Sequence, residues 1–102
     1  MSNRISVEID RDLEDLIPGF LANRRSDIDK MRAALGSGDF EPIRIAGHSM
    51  KGAGGGYGFD DITRIGADIE TAAQAEDVES INRGIDALED YLERIDIIYT
   101  DD

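Results

Sequence analysis

Residues Val78 to Tyr99 read VESINRGIDALEDYLERIDIIY. Within them Val78, Ile81, Ile85, Leu88, Leu92, Ile95 and Tyr99 follow one another at alternating steps of three and four, the spacing that gathers side chains on one face of a helix with 3.6 residues per turn. The stretch therefore reads as one amphipathic helix with a single apolar stripe over about six turns. A stripe of that length must be covered, so the rest of the chain has to supply its partners.

Upstream, a segment opening at Asp60 or Asp61 places Ile62, Ile65, Gly66, Ile69, Ala72 and Ala73 on one face and runs to about Ala75, with Glu76 and Asp77 marking the turn. Earlier still, Leu13, Leu16, Ile17, Phe20, Leu21, Ile28, Met31 and Leu35 recur at helical steps. Pro18 lacks an N–H and crowds the preceding turn, which predicts a short helix near residues 11–17 and a longer one near 18–35. Gly36-Ser37-Gly38 ends that helix, and Asp39 is the expected N-cap of the next, with Pro42 in its first turn. Ile5, Val7 and Ile9 alternate with polar residues and predict an extended arm over residues 1–9. Four stripes joined by turns of a few residues predict an all-α protein. The expected architecture is an antiparallel up-down four-helix bundle with a short additional N-terminal helix, in a single domain over residues 1–102.

Composition narrows the function classes. The 102 residues hold 11 Lys and Arg against 23 Asp and Glu, a formal charge of −12; such a surface repels polyanions, which excludes nucleic acid and anionic membranes as expected partners. Cysteine is absent, so there are no disulfides, thiolate metal sites or Cys nucleophile. No apolar run approaches the ~18 residues of a membrane span, and the start MSNRISVEID lacks the layout of a signal peptide. A cytoplasmic protein is expected, complete from Met1 to the acidic Asp101-Asp102 end. With every stripe used inside the bundle, it is also expected to be monomeric.

The segment Ile43 to Gly58, IRIAGHSMKGAGGGYG, carries the only histidine and six glycines, at 47, 52, 54, 55, 56 and 58. A glycine inside a helix costs about 0.5–1 kcal/mol against alanine, so something other than helix propensity selects them. Nucleotide loops do not fit. A GxGxxG pattern started at Gly52 or Gly54 ends on Tyr57 or Phe59, and a Walker loop started at Gly47 finds Ala53 where Lys is required. On a helical wheel Ile43, Ala46, Gly47, Met50, Ala53, Gly54 and Tyr57 share the core face. His48 lies opposite, facing solvent beside Ile45, with Arg44 one turn before it, Lys51 and Gly52 one turn after, and Gly55 two turns after. An exposed imidazole is a competent nucleophile near neutral pH. The cations can offset the charge of a phosphoryl group on it, and small neighbours let another protein's active site close over it. Gly47 and Gly54, on the core side, serve close helix packing instead. Residues 1–59 hold nine acids and eight bases, and residues 60–102 hold 14 acids and three bases, so His48 sits in the nearly neutral half, where an acidic partner pocket is least repelled.

These residues resemble the histidine-containing phosphotransfer (HPt) domains of phosphorelays. The family pattern H-x-x-K-G, separated by five residues from a further glycine, reads here His48-Ser49-Met50-Lys51-Gly52 with Gly58; Ile62 and the pair Ile69-Glu70 match as well. The resemblance extends over about residues 10–100. It implies a four-helix bundle whose His48 is the phospho-acceptor, exchanging the group with an aspartate of a response-regulator receiver domain or of a hybrid histidine kinase. In it Lys51 stabilises the phosphoryl group, and Gly52 leaves room for the receiver, docked on a face with Arg44, Ile45 and Gly55. It implies no autonomous kinase activity, no metal and no cofactor on this chain; the Mg²⁺ belongs to the receiver. Met50 stands where leucine is commoner, and the run Gly54-Gly55-Gly56 is richer in glycine than the pattern needs, which puts the helix end at risk of fraying. Two further readings stay open: the phospho-acceptor substrate domain of a chemotaxis-type histidine kinase, and a non-phosphorylated acidic bundle that binds a partner helix.

Overall fold

Residues 3–101 are described in a computed structural model. Strand β1 (Ile5–Asp10) leads through a 3-10 turn (Arg11–Leu16) into helices α1 (Ile17–Gly36) and α2 (Glu41–Ala53). A second 3-10 turn (Gly55–Tyr57) precedes α3 (Asp60–Gln74), α4 (Val78–Arg94) and strand β2 (Ile95–Thr100). Helix α1 packs on α2 and α4, and α3 also packs on α2 and α4, which closes the four helices around one core. Ile43 and Met50 of α2, Ile62 and Ile69 of α3, and Ile81, Ile85 and Leu88 of α4 are all fully buried in it.

Local chemistry sets the joints. Pro18 stands in the first turn of α1, where its missing N–H would have had no helical partner. The short leading helix expected at residues 11–17 is there as a 3-10 helix over Arg11–Leu16, with Asp10 accepting from the Asp12 N–H. Gly38 takes φ 69° and lets the Asp39 N–H reach the Ala34 carbonyl at 2.9 Å, ending α1. The cap position of α2 is Phe40, not Asp39; Asp39 acts one residue early, its carboxylate accepting from the Glu41 N–H at 3.3 Å. Asp77 caps α4, accepting from the Ser80 N–H at 3.1 Å and the Ser80 hydroxyl at 2.7 Å.

The main departure from an all-α bundle lies at the two ends of the chain. The stripe expected to run as helix to Tyr99 leaves the helix after Arg94, and Ile95 is extended at φ −74°, ψ 138°. Strand β2 pairs in parallel with β1, in register from Ile5 with Ile95 to Asp10 with Thr100. The expected N-terminal arm is thus a sheet strand; Met1 and Ser2 of that arm lie outside the described residues. Parallel strands need a long connection, and here the connection is the entire four-helix unit. Arg4 fastens the pair, donating to both Asp96 carboxylate oxygens at 2.8 and 3.2 Å and to the carbonyls of Glu93 and Ile95 at 2.9 and 3.0 Å. Arg94 donates back to the Asn3 carbonyl at 2.7 Å. The protein is therefore mainly helical, with a small two-stranded parallel sheet built from its termini. Among the described residues, no helix is long and apolar enough to cross a membrane.

Candidate functional site

Helix α2 buries Ile43, Gly47 and Met50 and turns His48 outward, so the imidazole is 66% exposed. The close approach of α3 beneath it follows from glycines facing each other. A Cβ on Gly47 would stand 2.7 Å from the Glu70 nitrogen and 2.8 Å from the Gly66 carbonyl oxygen; one on Gly66 would stand 2.6 Å from the Lys51 nitrogen. Backbone rests on backbone here, with only the Met50 Cβ, 2.8 Å from the Gly66 position, beside it. Gly54 continues the contact, 2.6 Å by the same measure from the Thr63 nitrogen. The packing role expected for Gly47 and Gly54 is the one they have, and Gly66 is their counterpart on α3.

That contact delivers Glu70 to the base of His48. Its carboxylate, 12% exposed, meets His48 Nδ1 at 2.9 Å and accepts from Lys51 Nζ at 3.2 Å. The Lys51 ammonium, assisted by the His48 ring and opposed by partial burial, holds the Glu70 carboxyl below the usual carboxylate range. An ionised carboxylate only accepts, so the neutral ring carries its proton on Nδ1 and donates it to Glu70, which leaves the lone pair on Nε2. The arrangement is an oriented imidazole whose Nε2 makes no hydrogen bond among the described residues, backed by a carboxylate and flanked by an ammonium.

The other expected site residues divide. Ile45 is 53% exposed on the outer face of α2. Gly52 is open, with no atom within 4 Å of where a Cβ would stand, so packing does not account for it. Arg44 turns back along α2 to Glu41, with Nε donating to Oε2 at 3.2 Å and a second nitrogen held by Oε1. That pairing, with a smaller pull from Glu70, raises its already high pKa. Gly55 falls outside α2, which ends at Ala53, so it does not lie on the same helical face as His48. Instead of fraying, the glycine run turns into a 3-10 segment: the Gly55 N–H donates to the Thr63 hydroxyl at 2.7 Å, and Gly58 ends the segment at φ 91°. Tyr57 leaves the wheel for the same reason and stacks on Phe20 with ring centroids 4.4 Å apart.

Sequence reasoning had no chemical role for Glu70 and read Gly66 only as part of an apolar face. A signal for Glu70 existed. It lies four residues after Gly66 and three before Ala73, on the edge of the apolar stripe of α3, and a carboxylate in such a place needs a partner.

The model of one protein family, described as Hpt domain, matches residues 15–97, a span that takes in all four helices and leaves out β1. No curated protein and no solved structure matches the chain significantly.

Proposed function

Because the chain belongs to the Hpt domain family, whose members carry phosphoryl groups in phosphorelays and are not kinases, we propose that it is a cytoplasmic, monomeric phosphocarrier. His48 exchanges a phosphoryl group with the aspartate of a receiver domain. The observation that carries this reading is that the chain's one histidine is exposed, with Nδ1 turned to Glu70.

The proposed step is an in-line transfer. Nε2 attacks the phosphorus of the receiver's aspartyl phosphate, the P–N bond forms as the P–O bond to the aspartate breaks, and the aspartate leaves as carboxylate. The ring keeps its proton on Nδ1 and gains positive charge, which the Glu70 carboxylate offsets. Lys51, one turn from His48, is the cation available to the transferred group. The reverse transfer uses the same contacts. Gly52 and Ile45 belong to the face that meets the receiver, the glycine giving clearance and the isoleucine an apolar contact; Gly55 borders that face from the turn beyond the helix. Arg44 has a lesser part, held by Glu41.

Incubation of the chain with a phosphorylated receiver domain, followed by intact mass measurement at neutral or basic pH, tests the reading. Gain of one phosphoryl group that is lost on acidification is expected, because phosphohistidine is acid-labile. No mass gain with any receiver from the same cell would leave the chain as a binding bundle only.

Lys51→Ala is expected to slow transfer roughly tenfold or more, about 1.4 kcal/mol in the barrier. An exposed charge counts for little until the partner closes over it and lowers the local dielectric. Arg44→Ala should slow transfer less. Rapid-quench transfer from one phosphorylated receiver at constant salt compares the two; equal rates for wild type and Lys51→Ala would remove the role given to Lys51.

Gly52→Gln should weaken transfer while leaving the melting temperature unchanged or slightly raised, since the position is open and Gln is the better helix former. Normal transfer by this variant would mean that the receiver does not approach across Gly52.

A further inference from the structure

A cavity of about 320 Å³ is lined on one side by four consecutive residues of β1, Ile5 to Glu8, and on the other by Gly58, Asp60, Asp61 and Tyr91. Successive side chains of a strand point to opposite faces, so four residues in a row line one cavity only where it runs along the strand's edge. The sheet has two strands, so one edge of β1 has no strand beside it, and the Glu8 carbonyl oxygen, 3.7 Å from where a Cβ on Gly58 would stand, lies on the cavity side. The two-residue repeat of a strand gives Ser6 the same direction. Among the described residues, no turn or loop backbone group bonds to Ser6 or Glu8, and the arginines that fasten the sheet reach Asn3, Glu93, Ile95 and Asp96 instead. The edge is an open row of donors and acceptors, a template for another strand.

Charge identifies the occupant. The lining holds three carboxylates, Glu8, Asp60 and Asp61, and neither Lys nor Arg. The one ion pair any of them makes among the described residues is Asp61 with Arg64, loose at 3.7 Å. A second copy of the chain is a poor fit, because β1 (ISVEID) and β2 (IDIIYT) contain acids and no bases. We propose that this slot takes an extended, basic segment of a partner protein as a third strand, its backbone bonded to Ser6 and Glu8 and its Lys or Arg side chains facing Glu8, Asp60 and Asp61.

The test uses the full chain, ¹⁵N-labelled, with three kinds of synthetic peptide, the second made in two registers. One alternates lysine and valine, the second has the same side chains and charge but N-methyl groups at every second amide in either register, and the third replaces lysine by glutamate. Saturable binding of the first is expected, with slowed hydrogen exchange at the Ser6 and Glu8 amides, binding about tenfold or more weaker for the second, and none for the third. Asp60→Asn with Asp61→Asn should weaken the first peptide about as much; if that variant does not fold, the N-methylated peptides decide alone. Equal binding of the first two peptides would reduce the contact to non-specific attraction by an acidic surface and overturn the proposal. Unchanged exchange at Ser6 and Glu8 under saturating peptide would overturn it too, as would concentration-dependent self-association that protects the same amides.

Discussion

His48→Gln is expected to abolish phosphoryl acceptance while leaving the helical content and melting temperature nearly unchanged. The side chain is two-thirds exposed and contributes no core packing, and substitutions at such positions usually change stability by less than about 0.5 kcal/mol. Glutamine can still donate an N–H to Glu70, so the carboxylate keeps two donors, but it offers no nucleophilic nitrogen lone pair, since the amide nitrogen is conjugated. Chemistry is lost and structure is kept. Mass measurement after exposure to a phosphorylated receiver, beside a thermal melt, reads both. A variant that still gains a full phosphoryl group would move the acceptor away from His48. A melting temperature that collapses would mean that the His48–Glu70 contact holds α2 to α3, a part assigned here to the glycines.

The separation of the two outcomes mirrors what was legible in the sequence. Helical stripes are local patterns, and they located α1 and α3 within a residue or two, the starts of α2 and α4, and the outward turn of His48, because burial on one face leaves a period that needs no knowledge of the neighbours; the ends of α2 and α4 they overran. Ile95 to Tyr99 misled for a physical reason. Ile95 and Tyr99 continue the helical period, but Ile95, Ile97 and Tyr99 are equally a strand period, and all three are half-buried with Asp96 and Ile98 exposed. What chooses between them is the strand at Ile5–Asp10, about 90 residues away in register, together with the Arg4–Asp96 ion pair, and no local pattern contains that partner. Glu70 escaped in a related way. The sequence places a carboxylate at the rim of an apolar stripe, but its two donors lie on another helix, and only the separation of α2 and α3 brings them within reach.

That separation is set by glycines, and the largest expected loss of stability follows from it. In an open helical position Gly→Ala stabilises by roughly 0.5–1 kcal/mol, as Gly52→Ala should here, where a Cβ meets nothing within 4 Å. Gly66→Ala should do the reverse. Its Cβ would stand 2.6 Å from the Lys51 nitrogen and 2.7 Å from the Gly47 carbonyl oxygen, and both are main-chain atoms of a helix, which cannot rotate aside as a side chain can. Overpacking of this kind costs about 1–3 kcal/mol, here at the upper end, and in a domain of this size that lowers the melting temperature on the order of 10 °C or more. The same displacement lifts α2 off α3 at Lys51 and at Gly47, which rests on the Glu70 backbone, so the hydrogen bond from His48 Nδ1 to Glu70 should lengthen. In the folded variant at low temperature the Nδ1 proton should exchange faster with water by NMR, and phosphotransfer should slow although every group of the site is still present. If Gly66→Ala melts at or above the wild-type temperature, the two helices are not held at backbone contact, and Glu70 must owe its place under His48 to something other than the facing glycines.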